Sequence, residues 1–222
     1  MHNLELNSPQ IVADTPDWWV VSKPPGWLCI PGRSTSEGRT DPVLTDWLKG
    51  LQSSPVWIVH RIDRETSGLV LFAKTPQAHT QANGWFSQRK VKKVYRLLAQ
   101  GKLGFPMLKI NEPIEGAPSS TQIERLEVYS STFLAQALPR TGRRHQIRIH
   151  MAQQGFPLLG DTLYGGPREV ECRDGQRLNV NRVALHASEL ELPSGEKFVC
   201  PDPQDFAQWI AVLKKDDQNA KR

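Results

Sequence analysis

The sequence predicts an α+β fold built on a mixed, mostly antiparallel sheet flanked by helices, and three observations carry that prediction. Apolar and polar residues alternate in short runs parted by turn residues, as in 121–129 and 132–138 around Ser130-Ser131, and in 185–192 and 197–199 around Pro193-Ser194-Gly195. Helical stretches with recognisable starts are interleaved with these runs, at Asp41-Pro42, Thr75-Pro76 and Asp202-Pro203. The chain of 222 residues is long enough to bury a core without disulfides or metal staples, and no linker divides it. A single domain over residues 1–222 is therefore expected.

Taken in order, Asp14-Thr15-Pro16-Asp17 reads as a turn leading into a strand at Trp18-Trp19-Val20-Val21. Lys23-Pro24-Pro25-Gly26 ends it, because proline cannot donate to a sheet ladder. Residues 31–40 read as a polar loop, and Asp41 as the N-cap of a helix to about residue 51. Strands follow at 56–59 and 69–73, a helix at 76–87 capped by Thr75, and a strand at 93–100. The two alternating runs come next, then a helix over 145–154 stopped by Gly155, a residue suited to a left-handed C-cap. The hairpin and a C-terminal helix over about 203–214 close the chain; residues 167–181 are polar and carry no clear motif.

Composition narrows the function. Hydrophobic residues at 38% and charged residues at 23% suit a globular protein and exclude collagen, coiled-coil rods and disordered tails. No run approaches the ~20 apolar residues of a membrane helix, and Met1–Asn7 lacks the pattern of a secretory signal. Cys29, Cys172 and Cys200 are odd in number and widely spaced, which predicts reduced thiols in a cytoplasmic protein and no zinc site built from them. The net charge of +5 is concentrated. Arg89-Lys90-Val91-Lys92-Lys93-Val94-Tyr95-Arg96 and Arg140-Thr141-Gly142-Arg143-Arg144-His145-Gln146-Ile147-Arg148 hold many bases and no acid. One such cluster is more often a solvated face; two, each interleaved with apolar residues that must pack, favour a polyanionic partner.

Candidate chemistry centres on His60-Arg61-Ile62-Asp63-Arg64-Glu65-Thr66-Ser67-Gly68, a tight polar loop fed by a strand. Asp63 is the candidate nucleophile or base, although taken alone it reads more readily as a turn cap, with Gly68 at a positive φ. In the second group, His145 and Arg148 share a helix face, whereas His150 points about 140° away from His145, which is wrong for a helical zinc pair. Arg148, among Ile147, Ile149 and Met151, reads as a partly buried cation needing a carboxylate, or equally as a surface cation.

HRIDRETSGLVLFAKT (residues 60–75) strongly resembles the signature of the RluA-type pseudouridine synthases. GRRHQIRIHMAQQGFPLLGDTLYG (142–165) is similar to that family's second signature. Lys23-Pro24-Pro25-Gly26, Lys93-Val94-Tyr95-Arg96 and Leu185-His186-Ala187 match three shorter family motifs, and all five stand in the family's order over about residues 17–200. Ile62 and Ile149 are conservative departures.

The resemblance implies the pseudouridine synthase fold with an active-site cleft, and an enzyme that detaches a uridine base from its ribose, turns it and rejoins it through C5. By resemblance Asp63 is the catalytic aspartate, Tyr95 the tyrosine that stacks on the base and helps remove the C5 proton, and Arg148 the base that pairs with the aspartate. The matched motifs place His60, Arg61, Arg64, Thr66, Arg143, Arg144, His145 and Gln146 on the substrate side. Arg61 would fill the gap left by the flipped uridine or hold its flanking phosphate, or else form a structural salt bridge. Arg143, Arg144 and the stretch 89–96 would track the RNA backbone. No cofactor and no metal is implied.

General physics is consistent with such a site. A buried nucleophilic carboxylate must stay ionised, which a close guanidinium favours against desolvation. The target base must leave its stack, and bases of a regular A-form helix are hard to read, so loops and stems with accessible bases are the expected targets; the resemblance to minimal family members implies a short stem-loop of ribosomal or transfer RNA. The family's frequent N-terminal S4-like domain finds no counterpart before Trp18, so target choice is expected to rest on the catalytic domain, acting as a monomer. A catalytically silent RNA-binding or RNA-chaperone protein is the alternative, but simple binding needs none of Asp63, Tyr95 and Arg148. A hydrolase pairing Asp63 with a histidine gains nothing from the histidine spacing.

Overall fold

The computed structural model describes residues 8–32, 41–51 and 55–219. The leader reading at Met1–Asn7 and most of the polar loop at 31–40 fall outside them. In chain order the elements are β1 (Gln10–Asp14), β2 (Trp18–Lys23), α1 (Leu44–Lys49), β3 (Trp57–Ile58), β4 (Ser67–Ala73), α2 (Pro76–Ser87), β5 (Lys92–Gln100) and β6 (Met107–Ile110). Then come β7 (Thr121–Val128), β8 (Thr132–Pro139), α3 (Gln146–Gln153), a 3-10 turn (Thr162–Tyr164), β9 (Glu169–Glu171), β10 (Arg177–Asn179), β11 (Leu185–Glu191), β12 (Lys197–Val199) and α4 (Gln204–Asn219). The α+β class with a mostly antiparallel sheet is as the sequence predicts.

The chain forms two compact units, residues 1–92 with 187–200, and residues 93–186 with 201–222. In the first, β2 pairs antiparallel with β1 and with β4, Val20 facing Leu71 and Lys23 facing Gly68. Every residue of β4 is buried, which its unbroken apolar run Leu69-Val70-Leu71-Phe72-Ala73 requires. The core of this unit gathers Trp18, Val20, Leu69 and Leu71 with Ala78 and Ala82 of α2. Thr75 caps α2, its hydroxyl accepting from Ala78 N at 3.1 Å with Pro76 in the first turn. The start of α1 differs from expectation: the N-cap is Val43, without a side-chain bond. Asp41 is spent on Arg64 at 2.8 Å instead.

In the second unit β5 pairs with β8, β8 with β7 and β7 with β6, all antiparallel. One core packs Leu97, Ile123, Phe133 and Ala135 against Ile147 and Met151 of α3. Another packs Leu98, Leu134 and Val180 against Phe206, Trp209 and Leu213 of α4. The polar stretch read as motifless contains the β9–β10 hairpin, short because only Val170 and Leu178 point inward. Its turn is tied to α4, Arg173 N donating to Asp216 at 2.7 Å. Among the described residues no helix is long and apolar enough to cross a membrane.

Gly68 opens β4 with φ +111°, the positive φ expected for it, and a Cβ there would strike the backbone of Ala187. Gly68→Ala therefore combines a strained backbone with a clash against atoms that cannot swing aside. It is expected to cost at least about 2 kcal/mol. Thermal unfolding should show a midpoint lower by roughly 4–8 °C.

Candidate active site

In the first unit the candidate residues lie on the loop between β3 and β4. Polar backbone in a tight loop needs partners, and much of the supply comes from the Lys23-Pro24-Pro25-Gly26 segment. Lys23 is fully buried, and its ammonium donates to the carbonyls of Pro24 at 3.0 Å, Trp27 at 2.9 Å and Arg64 at 3.0 Å. Gly26 N donates to the same Arg64 carbonyl at 2.8 Å. The thiol of Cys29, pushed up in pKa chiefly by burial, reaches the Ile62 carbonyl at 3.5 Å. The carbonyls on both sides of Asp63 are thus held by the segment that follows β2. Asp63 itself is half-buried, and Thr66 N closes the turn on its carbonyl at 3.1 Å.

The other residues of this loop divide by use. Arg61 is exposed. Arg64, also exposed, pairs with Asp41 at 2.8 Å and with its neighbour Glu65 at 3.1 Å. His60, expected on the substrate side, braces the scaffold: its Nε2 accepts from Leu71 N at 3.0 Å and its ring stacks on Phe86 at 4.8 Å. Thr66 is 1% exposed, too deep to present its hydroxyl at the surface.

In the second unit the candidate residues lie on β5, on α3 and on the loop after it. Tyr95 lies on β5 opposite Ala137, half-buried against the Leu97–Ile147 core. Lys93, two residues before it and so on the same face, reaches the Thr141 carbonyl at 3.4 Å. Burial pulls its ammonium down to a pKa of about 8.

The segment 141–146 folds around Gln146. Its Oε1 accepts from the Thr141 hydroxyl at 2.7 Å and from Arg143 N at 3.0 Å, while Nε2 donates to Ser120 O at 3.0 Å and Thr121 Oγ1 at 2.9 Å. Buried and fully used by the protein, Gln146 is a brace for this loop rather than a presented contact. The bonds leave Arg143 and Arg144 exposed on the strand-to-helix turn. His145 sits at the N-cap of α3 in the left-handed region, φ 55° and ψ 21°, an uncommon conformation that clusters at functional positions. Its Nδ1 shares a 2.9 Å hydrogen bond with Tyr164 Oη. His150 is a core brace between Thr121 Oγ1 at 2.9 Å and the Glu112 carbonyl at 3.0 Å, and burial lowers its pKa.

Arg148 is buried, which settles one of the two sequence readings. Its Nε and Nη2 form a bidentate pair with the two oxygens of Asp161, both at 2.7 Å. The side chains are 6% and 1% exposed. The guanidinium also stands 5.1 Å from the centre of the Tyr164 ring. Two N–H groups of the fork are thereby fixed, and the direction of the remaining ones is fixed with them.

Sequence reasoning assigned no role to Lys23, Asp161 or Tyr164, although all three stand inside the quoted motifs. The signal for Asp161 was the demand of a buried arginine for a carboxylate; its distance of 13 residues along the chain has no local periodicity to point to it.

Comparison with known proteins shows which family the chain resembles. A family model described as RNA pseudouridylate synthase matches residues 17–153. The ribosomal large subunit pseudouridine synthase D of Haemophilus ducreyi is 32% identical over 244 residues, covering 99% of this chain and 74% of that protein. A protein of the same name from Neisseria meningitidis serogroup A is 34% identical over 219 residues, covering 88% of this chain and 58% of that one. Among solved structures, Human RNA Pseudouridylate Synthase Domain Containing 1 superposes with a TM-score of 0.70 at 26% identity, covering 96% of this chain and 98% of that one. Human RNA Pseudouridylate Synthase Domain Containing 4 gives 0.72 at 23% identity over 92% of each chain, a likeness of fold.

Proposed function

The chain belongs to the RNA pseudouridylate synthase family and is an RNA pseudouridine synthase, and from that premise we propose that it isomerises uridine in large-subunit ribosomal RNA. The observation that carries the reading is the similarity at 32% identity, over 99% of the chain, to a large-subunit synthase. Exposed arginines, Arg61 in the first unit and Arg143 and Arg144 in the second, are consistent with an RNA backbone as partner. The ordered motifs leave the silent-binder alternative without support.

The proposed roles follow the residues. The Asp63 carboxylate attacks the nucleoside, the N1–C1′ bond breaks, and the base turns. A C5–C1′ bond then forms as the bond to the Asp63 carboxylate breaks and releases it, the C5 proton is lost and N1 takes one up, so the product is an isomer. Tyr95 packs on the base while it turns and assists removal of the C5 proton. Arg148, oriented by Asp161, keeps a positive charge beside the carboxylate chemistry. Arg61, Arg143 and Arg144 hold phosphates, with Arg61 entering the gap left by the flipped base. We take residues 1–222 as one catalytic domain, acting as a monomer in the cytoplasm and without cofactor or metal.

The reading is tested by carbodiimide mapping of pseudouridine in ribosomal and transfer RNA from cells with and without the intact gene. Loss of one or more large-subunit sites supports it. Loss confined to transfer RNA, or no loss, refutes the ribosomal assignment.

Lys93 gives the reading a pH signature. Its ammonium is charged below about 8 and neutral above, whereas RNA phosphates stay anionic throughout. Its contribution to RNA binding is therefore present at pH 7 and lost as pH rises through 8. Affinity should fall by roughly two- to fivefold between pH 7 and 9. Lys93→Arg, charged across that range, should flatten the profile measured by filter binding.

A further inference from the structure

Leu163 is 66% exposed, yet the loop that carries it is rigidly built. Gly160 N bonds to Pro167 O at 2.7 Å and closes the loop at its base. Tyr164 N and Gly166 N both donate to Asp161 O, at 3.1 and 2.8 Å. Gly166 lies so close to the backbone of Leu158 that a Cβ would collide with it. The Asp161 side chain is clamped by Arg148, and Tyr164 is bonded to His145. Gly160, Asp161, Tyr164 and Gly166 are thus tied down, and the leucine itself is held out into solvent.

An exposed leucine is unremarkable on a mobile loop. Here a buried ion pair and two glycines hold one in place, Gly160 packed on the backbone of Arg182 and Gly166 on that of Leu158. Its surroundings indicate the partner. The 2.9 Å His145–Tyr164 bond sets the 3-10 turn beside the Arg143-Arg144 corner, and residues 162–168, Thr-Leu-Tyr-Gly-Gly-Pro-Arg, contain no acid. A rigid apolar side chain beside exposed arginines matches a nucleobase face flanked by phosphates. Apolar wedges of this kind hold nucleic-acid steps apart.

We propose that Leu163 is an RNA-contacting wedge: its side chain lies against a base next to the target uridine and keeps the opened stack apart, while Arg143 and Arg144 hold the adjoining phosphates. The proposal rests on the pseudouridine synthase reading and adds a specificity residue to it. Because the loop is preformed, no ordering cost falls on binding. A wedge matters where bases are stacked and is dispensable where they are already splayed.

The test compares wild type, Leu163→Ser and Leu163→Met on a folded large-subunit RNA transcript carrying 5-tritiated uridine. Binding to a single-stranded oligonucleotide of the same sequence is measured in parallel. Leu163→Ser is expected to raise KM on the folded transcript about tenfold. Its kcat and its affinity for the single strand should stay within about twofold of wild type, and its melting temperature within about 2 °C. Leu163→Met, which keeps the apolar bulk, should behave as wild type. An unchanged KM for Leu163→Ser, or an equal loss on folded and single-stranded RNA, overturns the wedge. Absence of tritium release by the wild type itself overturns the functional reading, and the wedge with it.

Discussion

Asp63→Asn is expected to abolish isomerisation while the protein still folds and still binds RNA. The substitution keeps the side chain's size and one carbonyl oxygen but removes the anionic nucleophile. Loss of a covalent nucleophile is expected to lower the single-turnover rate on the order of 10³-fold or more. The loop should survive, because the carbonyls of residues 62, 63 and 64 are each held by another group. Lys23 and Gly26 grip the Arg64 carbonyl, Cys29 faces the Ile62 carbonyl, and Thr66 N closes on the carbonyl of residue 63. Filter binding and thermal unfolding beside the rate measurement separate the two effects. A melting temperature and Kd near wild type with no turnover is the predicted pattern. Near-normal turnover by Asp63→Asn would remove the residue from the chemistry.

The second large effect concerns the Arg148–Asp161 pair. With side chains 6% and 1% exposed, these two charges have exchanged water for each other. Such a pair contributes little against a well-packed apolar substitute, but breaking it strands a buried charge. Asp161→Ala should therefore destabilise the protein by about 3–5 kcal/mol. That corresponds to a fall in melting temperature of roughly 6–20 °C. Activity should fall as well, because a guanidinium without its bidentate anchor loses its fixed direction. Arg148→Met combined with Asp161→Leu separates the two consequences. Removing both charges should restore much of the stability and none of the activity. If the double variant regains turnover, the pair is purely structural.

How far the sequence was legible can be argued from the same residues. Local rules worked where local chemistry decides. Thr75-Pro76 opened α2 with the expected cap, and Pro193-Ser194-Gly195 turned β11 into β12. Gly68 has the positive φ expected of it. Reading failed where a distant partner decides. Asp41 looks like an N-cap in isolation, but Arg64, 23 residues on, takes its carboxylate, and α1 begins later. β9 and β10 each offer one inward residue, too little alternation to stand out in a polar stretch. Within the quoted motifs, the contacts each side chain makes were not legible from position alone. His60, Thr66 and Gln146 carry motif positions yet serve as braces or lie buried, while Lys23 and Asp161 hold the loop and the arginine in place. Those assignments depend on burial and on contacts across the fold, which no spacing rule encodes.

The central claim is tested most directly by tritium release from 5-tritiated uridine, measured with wild type on separate pools of unmodified ribosomal and transfer RNA. Formation of the C5–C1′ bond must free the C5 label. Release from the large-subunit ribosomal pool, and none from transfer RNA, is the predicted result. Tight binding to ribosomal RNA with no release from it would contradict the account.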